Sequence, residues 1–148
     1  MFFQFESDFV DNLRCIPMQV RLKLDTCGIK LKLAEWNCFT QAEREVLVEL
    51  PCENPDQVSK YQSYLRELIL QHTGKPATDL AIAPQPAWLN MQEIPPDVQT
   101  KATSVGVDLT LEKWVNLTPL QRFALIKLSR SSHENANFLP ALQEFNLC

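Results

Sequence analysis

Apolar residues recur at helical spacing in several stretches of the chain, and residues that start or stop helices bound each stretch. One helix is predicted to start at the capping box Thr40–Glu43 and another at Thr118–Gln121, where proline follows the cap. A third predicted start is Asn54–Gln57, with Gly74 as the stop of that helix. An apolar stripe such as Leu120, Phe123, Ala124 and Leu128 follows each start. The pattern therefore predicts an all-α protein.

Two further helices are predicted to run from a proline to a glycine, over 17–28 and 95–106. Proline is well tolerated at a helix start, and glycine readily adopts the left-handed backbone that ends a helix. The residues that follow, Ile29–Leu33 and Val107–Leu111, alternate between apolar and polar as a strand does. Because both segments are short, we expect an extended entry and then one or two helical turns that carry a tryptophan. A strand is the alternative.

The chain contains an approximate copy of itself. Residues 16–50 align without a gap on residues 94–128, and twelve of these 35 positions are identical. Ordinary composition would give roughly two identities by chance. The identical pairs are Ile16/Ile94, Pro17/Pro95, Val20/Val98, Lys23/Lys101, Gly28/Gly106, Leu31/Leu109, Leu33/Leu111, Trp36/Trp114, Thr40/Thr118, Arg44/Arg122, Leu47/Leu125 and Leu50/Leu128. We therefore predict a single compact domain, residues 1–148, built from two pseudo-symmetric copies of a roughly three-helix unit, residues 16–73 and 94–147.

A proline-rich strap, residues 74–93, connects the two predicted copies. It is too rich in proline for regular structure and too apolar for a solvated linker, so we expect an ordered strap lying across both halves. Its large apolar residues are Leu80, Ile82, Trp88 and Leu89. The N-terminal aromatic residues are expected to dock on the core, or else to form an exposed patch for a partner. These residues are Phe2, Phe3, Phe5 and Phe9.

Composition narrows the classes of function. The chain has 148 residues, of which 45% are hydrophobic and 22% charged, as in an ordinary globular protein. The net charge of −4 argues against broad nucleic-acid binding, which needs a basic face. The start of the chain lacks a basic region and soon meets acidic residues, unlike a signal peptide, and no apolar run is long enough to span a membrane. We therefore expect a cytoplasmic protein.

The five cysteines do not form a readable metal motif. Their number is odd, and no two have the CxxC spacing. In a reducing compartment they are expected to be free thiols that behave as small hydrophobic residues, and we predict no metal or cofactor. The alternative is an iron–sulfur or metal site built from Cys15, Cys27, Cys38 and Cys52. The second copy argues against that site, because Cys27 and Cys38 align with Val105 and Asn116.

Arg44 and Arg122 are the most distinctive charged residues. Each lies eight residues after a tryptophan, Trp36 or Trp114, in a helix with a predicted cap. Because arginine can stack on an indole while it pairs with a carboxylate, we expect each pair to hold the tryptophan segment against the next helix. The alternative is a small-ligand or anion pocket between the two halves, lined by these four residues.

A polar turn, residues 129–137, joins the last two predicted helices. His133 and Glu134 resemble an acid–base pair or a metal ligand, but no positioned catalytic partner is readable, and the zinc-protease pattern is absent. We expect the turn to cap a helix through Ser132 or Asn137, with contact to another protein as the alternative. The sequence thus indicates a protein that is not an enzyme.

Longer motifs support a family resemblance. Leu13–Asp25 resembles the N-terminal motif of small nitrate-reductase-associated proteins, found mainly in cyanobacteria, and Leu117–Arg130 resembles their C-terminal motif. His133–Phe138 and Pro140–Phe145 resemble the segments that end those proteins. The similarity extends over nearly the whole chain.

The resemblance implies a role in nitrate assimilation. The implied activity is that of an accessory or maturation factor for assimilatory nitrate reductase, a molybdenum and iron–sulfur enzyme that takes electrons from ferredoxin. We expect the protein to act by contact with that enzyme. The predicted contact residues are Arg130, His133, Glu134, Asn135, Asn137, Phe2 and Phe3. The alternatives are a cysteine-based iron–sulfur or metal carrier and a helical protein that binds a small ligand.

Overall fold

A computed structural model describes residues 2–7, 13–130 and 135–148. The all-α prediction is confirmed: the described residues form eight α-helices and three short 3₁₀ turns, and their one sheet has two strands of two residues each. The chain divides into two compact units, Met1–Ile82 (unit 1) and Ala83–Cys148 (unit 2).

In its described residues, unit 1 contains four α-helices and the small sheet. The helices are α1 Met18–Cys27, α2 Leu33–Cys38, α3 Gln41–Glu49 and α4 Pro55–Thr73. A 3₁₀ turn, Gln4–Glu6, precedes them, and strand β1 (Ile29–Lys30) pairs antiparallel with β2 (Thr78–Asp79). The alternating segment after α1 is therefore extended for only two residues before the tryptophan helix begins, as expected.

Unit 2 also contains four α-helices in its described residues. They are α5 Pro96–Ser104, α6 Leu111–Val115, α7 Pro119–Arg130 and α8 Phe138–Glu144, with 3₁₀ turns at Ala87–Leu89 and Asn135–Asn137. Each unit thus has four helices rather than about three, because the tryptophan segment forms a helix of its own. Helices α1, α2 and α3 begin 78 residues before α5, α6 and α7. A pseudo-symmetric arrangement of the two copies in space stays a prediction.

The predicted helix ends are confirmed by their hydrogen bonds. Thr40 Oγ1 accepts from the Glu43 N–H at 3.1 Å, and the Glu43 carboxylate accepts from the Thr40 N–H at 2.8 Å. Thr118 and Gln121 make the same reciprocal pair. Gly28 ends α1 with φ of 79°, and a Cβ atom at this position would lie 2.8 Å from the Ile82 side chain. Glycine is therefore required here both for its conformation and for the close approach.

Buried aromatic and aliphatic side chains form a core in each unit. In unit 1, one face of α4 is buried in the core through Tyr61, Leu65, Leu68 and Ile69. In unit 2, α7 is buried over six of its twelve residues, and Phe138 of α8 is also buried. Of the predicted stripe of α7, Phe123, Ala124 and Leu128 are buried, whereas Leu120 is only half-buried.

The strap differs in part from its prediction. Residues 78–79 form β2 against β1, and residues 87–89 form a 3₁₀ turn, so the strap has short regular elements. Its first part belongs to unit 1 and its second part to unit 2. Leu80 and Trp88 are half-buried, whereas Ile82 and Leu89 are more than half exposed. The expectation that the strap lacks regular structure is therefore wrong at residues 78–79 and 87–89, and its position across both halves stays a prediction.

Candidate functional site

The tryptophan of unit 1 is fixed by its indole and by an arginine. Trp36 is buried, and its Nε1–H donates to the Leu13 carbonyl at 2.7 Å. Arg44 Nε donates to the Trp36 carbonyl at 3.2 Å, and its Nη2 donates to the Asn37 carbonyl at 3.1 Å. Nη1 of Arg44 also reaches the Leu13 carbonyl, at 3.4 Å. The arginine thus satisfies carbonyl groups at the end of α2 and in the segment before α1.

The matching arginine of unit 2 is almost completely buried, with 1% of its surface exposed. Its guanidinium donates to four carbonyl oxygens, those of Trp88, Trp114, Val115 and Leu117. Trp114 Nε1–H donates to the Asn90 carbonyl at 3.0 Å. Burial lowers the pKa of the Arg122 guanidinium. Both arginines therefore hold the tryptophan helix against the next helix, as expected.

The partner of each guanidinium differs from the prediction. A carboxylate was expected, but both arginines donate to backbone carbonyl oxygens. Each arginine thereby connects segments that are separate in sequence. The alternative, a single pocket between the two halves, stays a prediction. Its predicted lining is Trp36, Trp114, Arg44 and Arg122, and the hydrogen bonds observed for these residues are structural.

The N-terminal segment is held by a carboxylate that the sequence analysis missed. Glu6 is 2% exposed, and its Oε2 accepts from the Met18 N–H at 3.1 Å while Oε1 accepts from the Phe3 N–H at 3.3 Å. Met18 begins α1, whose N-cap residue, Pro17, offers no side-chain cap. The carboxylate therefore caps α1 and complements its dipole. An uncapped helix start was the signal that could have indicated such a distant cap.

The N-terminal phenylalanines are half-buried rather than fully docked or fully exposed. Phe2 packs against the core of unit 1, and the rings of Phe3 and Phe5 stack at a centroid distance of 5.3 Å. Phe9 lies outside the described residues.

The predicted contact turn is described only at its edges. Arg130 Nε pairs with an Asp97 carboxylate oxygen at 3.0 Å, and both side chains are exposed. Ser132, His133 and Glu134 lie outside the described residues, and Asn135 is described for its backbone only. Asn137 is the N-cap residue of α8 but makes no side-chain cap hydrogen bond, so the predicted capping by this residue is wrong.

Lys23 is a second structural contact that the sequence analysis missed. Its ammonium donates to the carbonyls of Val48 and Leu50, at 2.6 and 2.8 Å, and so caps the end of α3. The ammonium also lies 5.6 Å from the centroid of the Tyr61 ring, and the Tyr61 hydroxyl donates to the Leu47 carbonyl. Burial lowers the pKa of Lys23. Its contacts are thus structural, between α1, α3 and α4.

His72 lies in the last turn of α4 and contacts an acidic residue. Its Nε2 is 2.8 Å from Oε1 of Glu43, the carboxylate of the α3 capping box. The Thr40 N–H, followed by the contact with His72, lowers the pKa of Glu43. The Phe39 ring lies 5.6 Å from the imidazole. This histidine therefore links the start of α3 to the end of α4.

The structure separates the cysteines by environment. All five are free thiols: Cys27 and Cys52 are buried, Cys15 is half-buried, and Cys38 and Cys148 are exposed. Burial raises the pKa of Cys27 to about 12, and it also raises the pKa of Cys52. Among the described residues, which include every cysteine, no three His, Cys, Asp or Glu side chains are placed to hold a metal ion. The four-cysteine site is therefore not assembled in the described part of the chain.

The strap of unit 2 forms a surface groove that the sequence analysis did not predict. The groove has a volume of about 640 Å³ and lies over 84–92, the segment whose carbonyls Trp114 and Arg122 bind. Leu89 and Met91 line it, and both are exposed to solvent.

These contacts define a class of small helical protein in which buried polar side chains form hydrogen bonds to the backbone of other segments of the same chain. None of the described helices combines the length and the apolar character that crossing a bilayer requires. The chain belongs to the family of conserved nitrate reductase-associated proteins, whose family model matches residues 2–145. The resemblance identified from the motifs is thereby confirmed. The family description links the protein to nitrate reductase and does not make it the reductase itself. No curated protein and no solved structure matches the chain.

Proposed function

We propose that this protein is a non-enzymatic accessory factor that binds assimilatory nitrate reductase directly in the cytoplasm and assists its maturation. The observation that carries the proposal is the family match, which covers residues 2–145 and therefore almost the whole chain. A match of this length leaves little of the chain for an unrelated activity.

The chemistry of the described residues supports a binding role. The buried guanidinium of Arg122 donates its hydrogen bonds to carbonyl oxygens. The buried carboxylate of Glu6 accepts hydrogen bonds from backbone N–H groups. Burial also raises the pKa values of Cys27 and Tyr61, which keeps both groups protonated and unreactive near neutral pH. These four buried groups therefore stabilise the fold and are not placed for catalysis. This supports a protein that acts through its surface, by binding a partner.

Two regions are our candidates for contact with the reductase. The first is the polar turn after α7, with Arg130, His133, Glu134, Asn135 and Asn137. The second is the N-terminal aromatic segment with Phe2 and Phe3. Exposure supports the role of Arg130, whose ion pair with Asp97 can exchange for a partner carboxylate at little cost. The stacked pair that Phe3 forms offers apolar area on a fixed turn.

Capture of the tagged protein from nitrate-grown cells tests the proposal. Recovery of nitrate reductase, enriched in the form that lacks its cofactors, is the expected result. The variant Arg130→Ala with His133→Ala should weaken the recovery, whereas Glu45→Ala, an exposed change in unit 1, should not. If no reductase is captured with the tagged protein, nitrate reductase is not its partner. If the double variant captures as much reductase as the wild type, only the proposed role of the turn is contradicted.

A further inference from the structure

The contact between His72 and Glu43 joins two helix ends of unit 1. His72 lies in the last turn of α4, and Glu43 lies in the first turn of α3. His72 Nε2 is 2.8 Å from Glu43 Oε1, and the two side chains are 22% and 20% exposed. Salt screens such a partly buried pair less than a pair at an open surface, while the remaining exposure lets protons exchange with solvent. The contact is therefore placed to respond to pH.

Both helix ends favour the charged forms of this pair. The C-terminal end of a helix attracts a cation, and the N-terminal end attracts an anion. A protonated His72 at the end of α4 and an ionised Glu43 at the start of α3 thus each complement the dipole of their own helix and attract one another. A neutral imidazole can keep a hydrogen bond to Oε1 through its Nε2–H, but it loses both attractions. Protonation of His72 therefore strengthens the contact.

The matched cap of unit 2 forms without a charge. Gln121, at the position that matches Glu43, accepts from the Thr118 N–H at 2.9 Å, and its own N–H donates to Thr118 Oγ1 at 3.1 Å. The cap made by Thr40 and Glu43 in unit 1 has the same geometry. Capping therefore does not require a carboxylate at residue 43. What the carboxylate adds over an amide is the charge that it presents to His72.

The groups that face this contact from neighbouring elements are uncharged or keep one charge near neutral pH. Phe39, which precedes α3, lies with its uncharged ring 5.6 Å from the imidazole. Tyr64 of α4 lies near the carboxylates of Glu43 and Glu67, and burial, followed by these two charges, raises the pKa of Tyr64. The Thr40 N–H is the main cause that lowers the pKa of Glu43, so its carboxylate is charged above about pH 4.5. Histidine, by contrast, ordinarily titrates near pH 6.5.

We propose that the His72–Glu43 contact is a pH-sensitive link, in which protonation of His72 stabilises the packing of the start of α3 against the end of α4. Below about pH 6.5 the imidazole carries a proton and the ion pair is present. The stabilisation is therefore complete on the acidic side of this pH, as long as Glu43 stays charged, and it falls as pH rises. Unit 1 thus has a stability that follows pH across the physiological range. This inference does not depend on the proposed function.

A double-mutant cycle tests the proposal in the full-length protein. Glu43→Gln copies the residue of unit 2 and keeps the cap, His72→Gln removes the imidazole, and the double variant completes the cycle. Urea midpoints of all four proteins are measured at pH 5.8 and at pH 8.0. The non-additive part of the midpoint shifts should be larger at pH 5.8, by at least about twofold. A non-additive part that is equal or smaller at pH 5.8, or absent at both pH values, overturns the proposal.

Glu45→Gln is the matched control, because Glu45 is an exposed glutamate of the same helix. This change removes the same charge and should shift the midpoint equally at both pH values. A pH-dependent shift as large as that of Glu43→Gln would overturn the proposal, because it would reflect net charge.

Circular dichroism checks that each variant is folded. If Glu43→Gln unfolds, the wild type is compared with His72→Gln alone, and the loss in urea midpoint should again be greater at pH 5.8. An equal loss at the two pH values then overturns the proposal.

Discussion

The two tryptophan–arginine pairs occupy matched places in the sequence, but their arginines differ in burial and in the carbonyls to which they donate. In unit 1, Arg44 is partly exposed and donates to carbonyls of the adjoining helix and of Leu13. In unit 2, Arg122 is buried and donates to four carbonyls, one of which belongs to the exposed strap. One residue pattern thus serves packing alone in unit 1, whereas in unit 2 it also fixes an exposed segment of the strap.

The largest expected difference between the units is the response to losing the arginine. Arg122→Ala removes the buried guanidinium that donates to four carbonyls, of which that of Trp114 keeps the Leu117 N–H, and should lower the free energy of unfolding by about 3–5 kcal/mol. Arg44→Ala leaves groups that water can reach and should cost about 1–2 kcal/mol. Urea denaturation, followed by circular dichroism, measures both. Equal losses would break the comparison, because they would show that burial does not separate the two sites.

Removal of the buried carboxylate is the next largest effect and concerns unit 1 alone. Glu6→Ala leaves the N–H groups of Phe3 and Met18 without their acceptor, so it should cost about 1.5–3 kcal/mol. The N-terminal segment should also become more sensitive to limited proteolysis. Glu45→Ala, a surface glutamate of the same unit, should change neither quantity. Wild-type protease resistance in Glu6→Ala would contradict the anchoring role.

A matched lysine pair gives a smaller contrast between the units. Lys23 caps the end of α3 through two carbonyls, whereas α7 continues three residues beyond the matched position. Lys23→Ala should therefore cost about 1–2 kcal/mol, and Lys101→Ala less than about 0.5 kcal/mol. Both values come from urea titrations of the single variants. A loss at Lys101 as large as that at Lys23 would show that the capping explanation is wrong.

The effect that is smallest near neutral pH, and grows only at alkaline pH, separates Cys27 from the valine at its matched position. Its pKa of about 12 lies above that of the unfolded thiol, so the folded state binds more protons at alkaline pH. Stability should fall as pH rises from about 8.5 towards 12, by at most about 1.4 kcal/mol per pH unit from this group. The Tyr61 phenol acts in the same direction.

The variant Cys27→Val, which copies unit 2, isolates the thiol. It should flatten the alkaline loss measured by urea titrations at pH 7 to 10, while the contribution of Tyr61 remains. At pH 8, iodoacetamide should modify Cys38 and Cys148 well before Cys27 and Cys52, because the first two are exposed. Rapid modification of Cys27 in the folded protein, detected by mass spectrometry, would contradict its assigned burial.

Local signals in the sequence predicted the helix ends, because caps and glycine stops act over a few residues. Thr40, Thr118, Asn54 and Gly74 all end or start helices where expected. The helical stripe of α7 also predicted its buried face. Contacts between distant segments were less predictable. Sequence spacing paired each arginine with its tryptophan, but it could not show that carbonyls of Leu13 and Trp88 would be the acceptors.

The strap is a second region whose structure depends on contacts between distant segments. Proline content predicted a strap without regular structure, but residues 78–79 pair with β1 and residues 87–89 form a 3₁₀ turn. Leu89 is exposed between the Trp88 and Asn90 carbonyls, which Arg122 and Trp114 bind, and no local pattern encodes that choice of carbonyls. The missed Glu6 cap follows the same rule, since it joins residues twelve positions apart.

Direct binding between the purified protein and nitrate reductase tests the central claim. Calorimetry should be run with the reductase in its cofactor-free and its cofactor-loaded forms, under the same buffer and salt. We expect a saturable complex of defined stoichiometry, with tighter binding to the cofactor-free form. Absence of binding to both forms would contradict the claim that this protein acts on the reductase by contact.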